Sequence, residues 1–149
     1  MAPLTPRTNR HEDAGSELIE LAIVLPLLLL IIAGIADFGF LFQRYEVVTN
    51  AAREGARIAV LQAQGYTTDD VKDRVKQYLD ASGLTGTSAT TDVTYGTETL
   101  ASGTVVNTAT VSVSYPSSYL FLGPIASMVG GGGWSSITLK AGSIMRVEQ

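Results

Sequence analysis

The side chains able to do chemistry are few, and their spacing points away from catalysis. His11 is the only histidine and lies in a polar N-terminal stretch, and cysteine is absent from the 149 residues. A Ser/His/Asp relay therefore has no histidine in the body of the chain, and thiolate metal sites and disulfides are excluded. Asp69, Asp70, Asp73 and Asp80 suit the solvated face of a helix rather than the oxygen-ligand order of a calcium loop. The glycines at 130–133 have no Gly-Lys-Ser/Thr after them, so they read as a hinge and not a phosphate cradle. Asp37-Phe38-Gly39 copies a kinase triplet without a Gly-rich loop or catalytic-loop sequence. No enzymatic activity, metal or cofactor is expected.

The acid whose position demands a partner is Glu20. It stands just inside the leading edge of an apolar block that runs on to Phe42, and a Gly15–Ser16 junction precedes it. An ionised carboxylate in hydrocarbon costs roughly 2.5–3.5 kcal/mol at a helix centre and less near an interface. Cleavage after Gly15 would make Ser16 a new N-terminus and leave Glu20 one helical turn away. A free α-amino group, with an ordinary pKa of about 7.7–8.0, is positive at neutral pH. Glu20 would pair with that amine, either its own or a neighbouring subunit's. The neighbour version turns the desolvation cost into a register device, because a helix that slips leaves a charge unpaired in lipid. Two other readings of the block compete. A conventional secretory signal cut after Ala36 fits poorly with Glu20 and Pro26, and a plain single-span anchor leaves Glu20 unexplained.

The elements that must position these residues follow from periodicity. Residues 21–36 span about 24 Å as a helix, and extension to Phe42 gives about 33 Å, against a hydrocarbon core of about 30 Å. Pro26 removes the backbone hydrogen bond to Ala22 and should bend the helix. Asp37 falls near the far interface, among Phe38, Phe40 and Phe42. Flanking Arg7, Arg10 and Arg44 leave the orientation open. The helix continues through residues 43–63, with Val48, Ala52, Gly55, Ala56, Ala59 and Ala63 on a small, smooth face and Glu46, Asn50, Arg53 and Arg57 on a polar one. It should end near Gly65.

A second helix is expected from Thr68 to about Ser82, capped by Thr68 or Asp69, lined by Val71, Val75, Tyr78 and Leu79, and ended by Gly83. From residue 87 the period becomes two. Thr91, Val93 and Tyr95 form one inward set. Val105, Ala109, Val111, Val113 and Tyr115 form a second, and Ile137, Leu139, Ala141, Met145 and Val147 a third, with the last strand reaching Glu148. These are strands of a small antiparallel sheet with one wet face. Pro116 and Pro124 make the apolar stretch between them a loop or short helix, covering the sheet edge or serving as an assembly contact. The fold class is α+β: a long N-terminal transmembrane helix continuing into a small pilin-like domain, with a second helix and three or four antiparallel strands. A net charge of −4 argues against nucleic-acid partners, and residues 1–14 read as a disordered or removable tail.

Gly15-Ser16-Glu17-Leu18-Ile19-Glu20 running into an apolar segment resembles a type IV prepilin processing site. The strings Glu20-Leu21-Ala22-Ile23-Val24-Leu25-Pro26, Gly34-Ile35-Ala36-Asp37-Phe38-Gly39 and Asn50-Ala51-Ala52-Arg53-Glu54-Gly55-Ala56-Arg57 resemble the TadE-like family, minor pilins or pseudopilins of the Flp/Tad tight-adherence pilus system. The ending Ile144-Met145-Arg146-Val147-Glu148 is similar to that family's last strand, and Leu21 stands where such proteins often carry an aromatic.

The resemblance implies a single-pass inner-membrane protein cut by a prepilin peptidase, with partners among membrane lipid, other pilins and the Tad assembly proteins. It also implies the orientation, with residues 1–15 a cytoplasmic leader, 16–42 and 43–64 the transmembrane and extracytoplasmic halves of the long helix, and 65–149 an extracytoplasmic α+β domain. Gly15, Ser16 and Glu20 would serve processing. Pro26, Asp37, Ala52, Gly55, Ala56 and Ala59 would serve helix packing and assembly. The alternatives are an uncleaved single-pass envelope protein and a soluble protein released after a conventional signal.

Overall fold

A computed structural model describes residues 10–128, 130 and 135–147, with side chains from residue 15 onward. The beginning of the polar tail, the glycines at 131–133 read as a hinge, Trp134 and the strand end at Glu148 lie outside the described residues.

One unbroken helix, α1, runs from Arg10–Ala59 and passes through Pro26 without interruption. The chain is already helical from Arg10, so the tail does not stay separate as far as residue 14. No proline or glycine stands between Arg10 and Ala14 to stop a helix from propagating backward. At the other end a turn and a short 3-10 segment, Gln62–Gln64, follow, closed by Gly65 in the left-handed region at φ 93°. The tighter turn rephases the chain, and Ala63 is exposed rather than on the buried face.

Helix α2, Thr68–Ala81, begins where expected, but its cap falls one residue before Thr68. Thr67 is the N-cap: its hydroxyl accepts from the Asp70 amide at 3.3 Å, and its own amide donates to Asp70 Oδ2 at 2.7 Å. The Thr67 hydroxyl and amide, donating to Asp70, hold that carboxyl below its ordinary range. The cap falls on Thr67 because only there does an acid stand at the third helical position to close the box. Val71, Val75 and Leu79 line the buried side of α2.

Three antiparallel strands follow in the order β1-β2-β3: β1 Thr90–Thr99, β2 Val105–Ser118 and β3 Ser136–Arg146. Val93 pairs with Val111 and Val113 with Ala141, so the inward alternation lies in register across the sheet. Several positions depart from the expected phase. Tyr95, Ile137 and Val105, the last at the strand's outer end, are exposed, while Val106 and Thr108 are buried. Pro116 is a ladder residue, paired with Thr138. The pairing with β1 stops at Ser114, so one side of β2 is unpaired at Pro116, and a residue without an N–H is tolerated there. The segment between β2 and β3 carries a short helix, α3, Leu122–Met128. It packs on α1.

The core is a single cluster in which α1 lies across β2 and β3 while α2 lies against α1 and reaches β1. Val48, Ala51, Ala52, Ala56 and Ala59 of α1 are buried with Val71, Val75 and Leu79 and with Ala109, Val111, Val113 and Ala141. Small α1 side chains let the backbones approach closely enough for valines from both sides to meet them. A Cβ placed on Gly55 would stand 2.7 Å from Val75 Cγ2 and 3.2 Å from Val111 Cγ1. Glu54 ties the two helices at the rim, accepting from Arg74 Nε at 3.0 Å and Nη2 at 2.6 Å. Exposed pairs of this kind contribute about 0–1 kcal/mol, so apolar packing holds the helices together. Gly55→Val should therefore lower the unfolding free energy of the detergent-solubilised protein by about 1–3 kcal/mol through overpacking, read by chemical denaturation followed by circular dichroism. Wild-type stability in that variant would mean the helices are not in contact at Gly55.

Candidate functional site

The first candidate region is the start of the described side chains. Gly15, Ser16 and Glu20 lie on consecutive turns of α1, all exposed. A Cβ on Gly15 meets nothing within 4 Å and its φ is ordinary, so neither packing nor backbone conformation within the chain requires a glycine there. Among the described residues Glu20 has no hydrogen-bond or ion-pair partner. The stretch that follows is long and apolar enough to cross a membrane, and none of it is buried within the chain. Leu18, Ile23, Leu27 and Ile35 all face outward. One apolar N-terminal helix of this length and composition suits a single-pass membrane anchor.

The second region was not legible as a site. Asp37, on the same helix, is buried. Its carboxylate accepts from three consecutive backbone amides: Leu120 N at 2.7 Å and Phe121 N at 3.1 Å on Oδ1, Phe121 N at 3.1 Å and Leu122 N at 2.7 Å on Oδ2. These are the amides at the entry to α3, which otherwise have no acceptor within that helix. Two turns further along the same face, Arg44 Nη1 donates to Ser117 Oγ at 2.8 Å and to the Ser118 carbonyl at 3.1 Å. Asp37 and Arg44 thus form a clamp. The cation holds the end of β2, the anion holds the start of α3, and the chain between them is fixed against the long helix.

The clamp positions an apolar surface. Phe121 and Ile125 form a groove with Pro26, Leu30 and Ala33 of α1. Asp37 was expected at a membrane interface and grouped with helix packing, but its backbone partners were not foreseen. The signal that would have found them is the cost of an unpaired charge on an apolar helix, which applies to Asp37 as it does to Glu20. The remaining expected packing residues lie inside the chain's own core. Ala52, Ala56 and Ala59 are buried, and Gly55 is enclosed by valines, so that face is occupied by α2 and the sheet. Pro26 lies away from that core, in the groove wall beside α3.

Residues 15–57 match the family model described as TadE-like protein. The matched segment carries the Gly15–Ser16 junction, Glu20, Pro26, Asp37, Arg44 and the Gly55 contact, and it ends before the sheet and α3. No curated protein and no solved structure matches the chain.

Removal of the Asp37 carboxylate leaves three amides without their acceptor, and hydrogen bonds to a charged group contribute about 1.5–3 kcal/mol each. In Asp37→Ala, exchange of the Leu120, Phe121 and Leu122 amides should speed up on the order of 100-fold, while amides of Val111 and Val113 keep their protection. Unchanged exchange at 120–122 would show that the carboxylate does not hold this segment.

Proposed function

We propose that this chain, with its TadE-like N-terminal segment, is a membrane-anchored minor pseudopilin that takes part in assembling a Flp/Tad-type adhesive pilus or a related secretion filament. In this reading residues 1–15 are a leader on the cytoplasmic side, removed by a prepilin peptidase between Gly15 and Ser16. Residues 16–42 cross the inner membrane, residues 43–64 continue the helix outside it, and residues 65–149 form the extracytoplasmic domain.

The observation that carries the reading is the family match over residues 15–57, which contains the processing-type junction and the acid one turn beyond it. Two features support it. Gly15 has no packing role within the chain, as expected of a residue demanded by an enzyme that reads the junction. Glu20 has no partner among the described residues, as expected of a carboxylate that waits for a new α-amino group. At neutral pH the amine released on Ser16 is positive, and pairing it with Glu20 of a neighbouring subunit would set the axial register of one helix against the next. The packed domain would then travel as a rigid unit on the anchor, since its core is closed by α1 itself.

Sequencing the N-terminus of the mature protein from membranes tests the reading directly. Ser16 is the expected first residue. Met1 or Ala2 would identify an uncleaved single-pass protein, and Asp37 a conventionally secreted one. Gly15→Leu should leave the full-length precursor in the membrane, and mature-length protein in that variant would refute peptidase processing. Glu20→Ala should be cut and inserted normally but fail to assemble, since losing one partner of a buried pair costs about 3–5 kcal/mol. Pilus formation at the wild-type level in Glu20→Ala would reject the pairing with the Ser16 amine.

A further inference from the structure

Between Glu98 and Lys140 the sequence contains no charged residue. Within that stretch, the segment 120–128 exposes apolar side chains that the fold leaves uncovered: Leu120 is 55% exposed, Phe121 45%, Ile125 42% and Met128 88%. The segment does not stand free at the domain's tip. The Asp37 clamp turns it back along α1, and Phe121 and Ile125 line a groove whose other wall is Pro26, Leu30 and Ala33. Those α1 residues lie roughly 6–17 Å along the helix axis from Asp37, toward the N-terminus.

We infer that residues 120–128, including α3, are inserted into the hydrocarbon of the bilayer beside α1, so that the chain contacts lipid through a second element as well as its anchor. The inference rests on the proposed membrane span. The uncharged helix between Glu20 and Asp37 must lie in hydrocarbon if the chain spans at all. Residues 26–33 fall inside that interval, so any placement of the bilayer that covers it also covers the groove and the side chains of Phe121 and Ile125.

The chemistry of the segment fits that occupant. Backbone N–H groups at membrane depth need internal acceptors, because hydrocarbon supplies none. Leu120, Phe121 and Leu122 donate to Asp37, and Pro124 has no N–H to satisfy. The Ser127 hydroxyl donates to the Pro124 carbonyl at 2.7 Å. These groups find partners within the chain, while Leu120, Phe121, Ile125 and Met128 are exposed. That is the inverse of a surface loop in water, which exposes its polar groups. Arg44 and Tyr119 flank the segment on the side of the domain, at the level where a cation and an aromatic suit the headgroup region.

The absence of cysteine from the sequence makes single-site labelling clean. Full-length Met128→Cys and Ile125→Cys would carry a small environment-sensitive fluorophore in phosphatidylcholine–phosphatidylglycerol vesicles with lipids brominated on their acyl chains. Leu29→Cys on α1 reports the membrane span, and Ser102→Cys, at the far end of the β1–β2 hairpin, reports solvent. The expected result is quenching at Met128 and Ile125 to the same extent as at Leu29, with none at Ser102. Quenching at Leu29 but not at Met128 or Ile125 would overturn the inference while leaving the span intact. The same pattern with disulfide-linked dimers of Met128→Cys would assign the surface to a second copy of the chain instead. Absence of quenching at Leu29 would refute the span, and the inference with it.

Discussion

A carboxylate on an apolar helix stays satisfied out of water only where several donors converge on it. Asp37 meets that condition with three consecutive backbone amides. Much of the lower half of the molecule follows from it. The donors come from the entry to one helix, where successive free N–H groups are available to a single acceptor. α3 must therefore begin beside α1, and β2 must deliver the chain there. Arg44, two turns away on the same face, takes up the end of β2 through Ser117 and the Ser118 carbonyl. These two side chains fix the path of residues 117–122 along the long helix.

The clamp works only if the helix lies close to the sheet, and that distance is set higher up. Val48, Ala51, Ala52, Gly55, Ala56 and Ala59 present almost no side-chain height where α1 crosses the valines of α2 and β2. A bulkier face would lift α1 off the sheet and carry Arg44 away from Ser117 as well. Packing of the core and placement of the charged clamp are thus one geometric condition met at two levels of one rigid helix. The absence of any glycine or proline between Gly39 and Gly55 is part of the same condition, because a hinge there would uncouple the two levels.

Periodicity made much of this legible. The apolar block, the small face on residues 48–59, the amphipathic second helix and the inward sets of the three strands each repeat a residue type often enough to betray the element. What the sequence hid lies where a single residue or the backbone decides. The donors to Asp37 are main-chain amides more than eighty positions away, and no side-chain pattern marks them. Pro116 reads as a strand breaker until the pairing shows that β1 has already ended beside it. Ala63 keeps the small-residue rhythm while the helix beneath it has changed to a tighter turn. Thr67 rather than Thr68 is the cap because of a reciprocal bond with Asp70, a choice that residue type alone leaves open between neighbours. Among the site residues, the junction and Glu20 stood out by their chemistry, whereas the clamp could have been sought by asking of Asp37 the question asked of Glu20.

The two acids that bound the uncharged stretch of α1 stand in opposite electrostatic situations. Asp37 is saturated by its own chain: its oxygens accept four hydrogen bonds, and no demand is left over for a neighbour. Glu20 accepts none among the described residues. If both were structural charges, both would be expected to find partners within the fold, since the cost of leaving either unpaired in lipid is the same in kind. The asymmetry separates their roles. The end of the span nearer the domain is self-contained, so the orientation of the domain on its anchor does not depend on who stands beside it. The other end carries the unmet electrostatic requirement, and under the proposed processing it meets that requirement only with an amine that does not exist until the leader is removed. A carboxylate of that kind would couple maturation to association: the uncut chain has the charge without the partner, and cleavage supplies the partner.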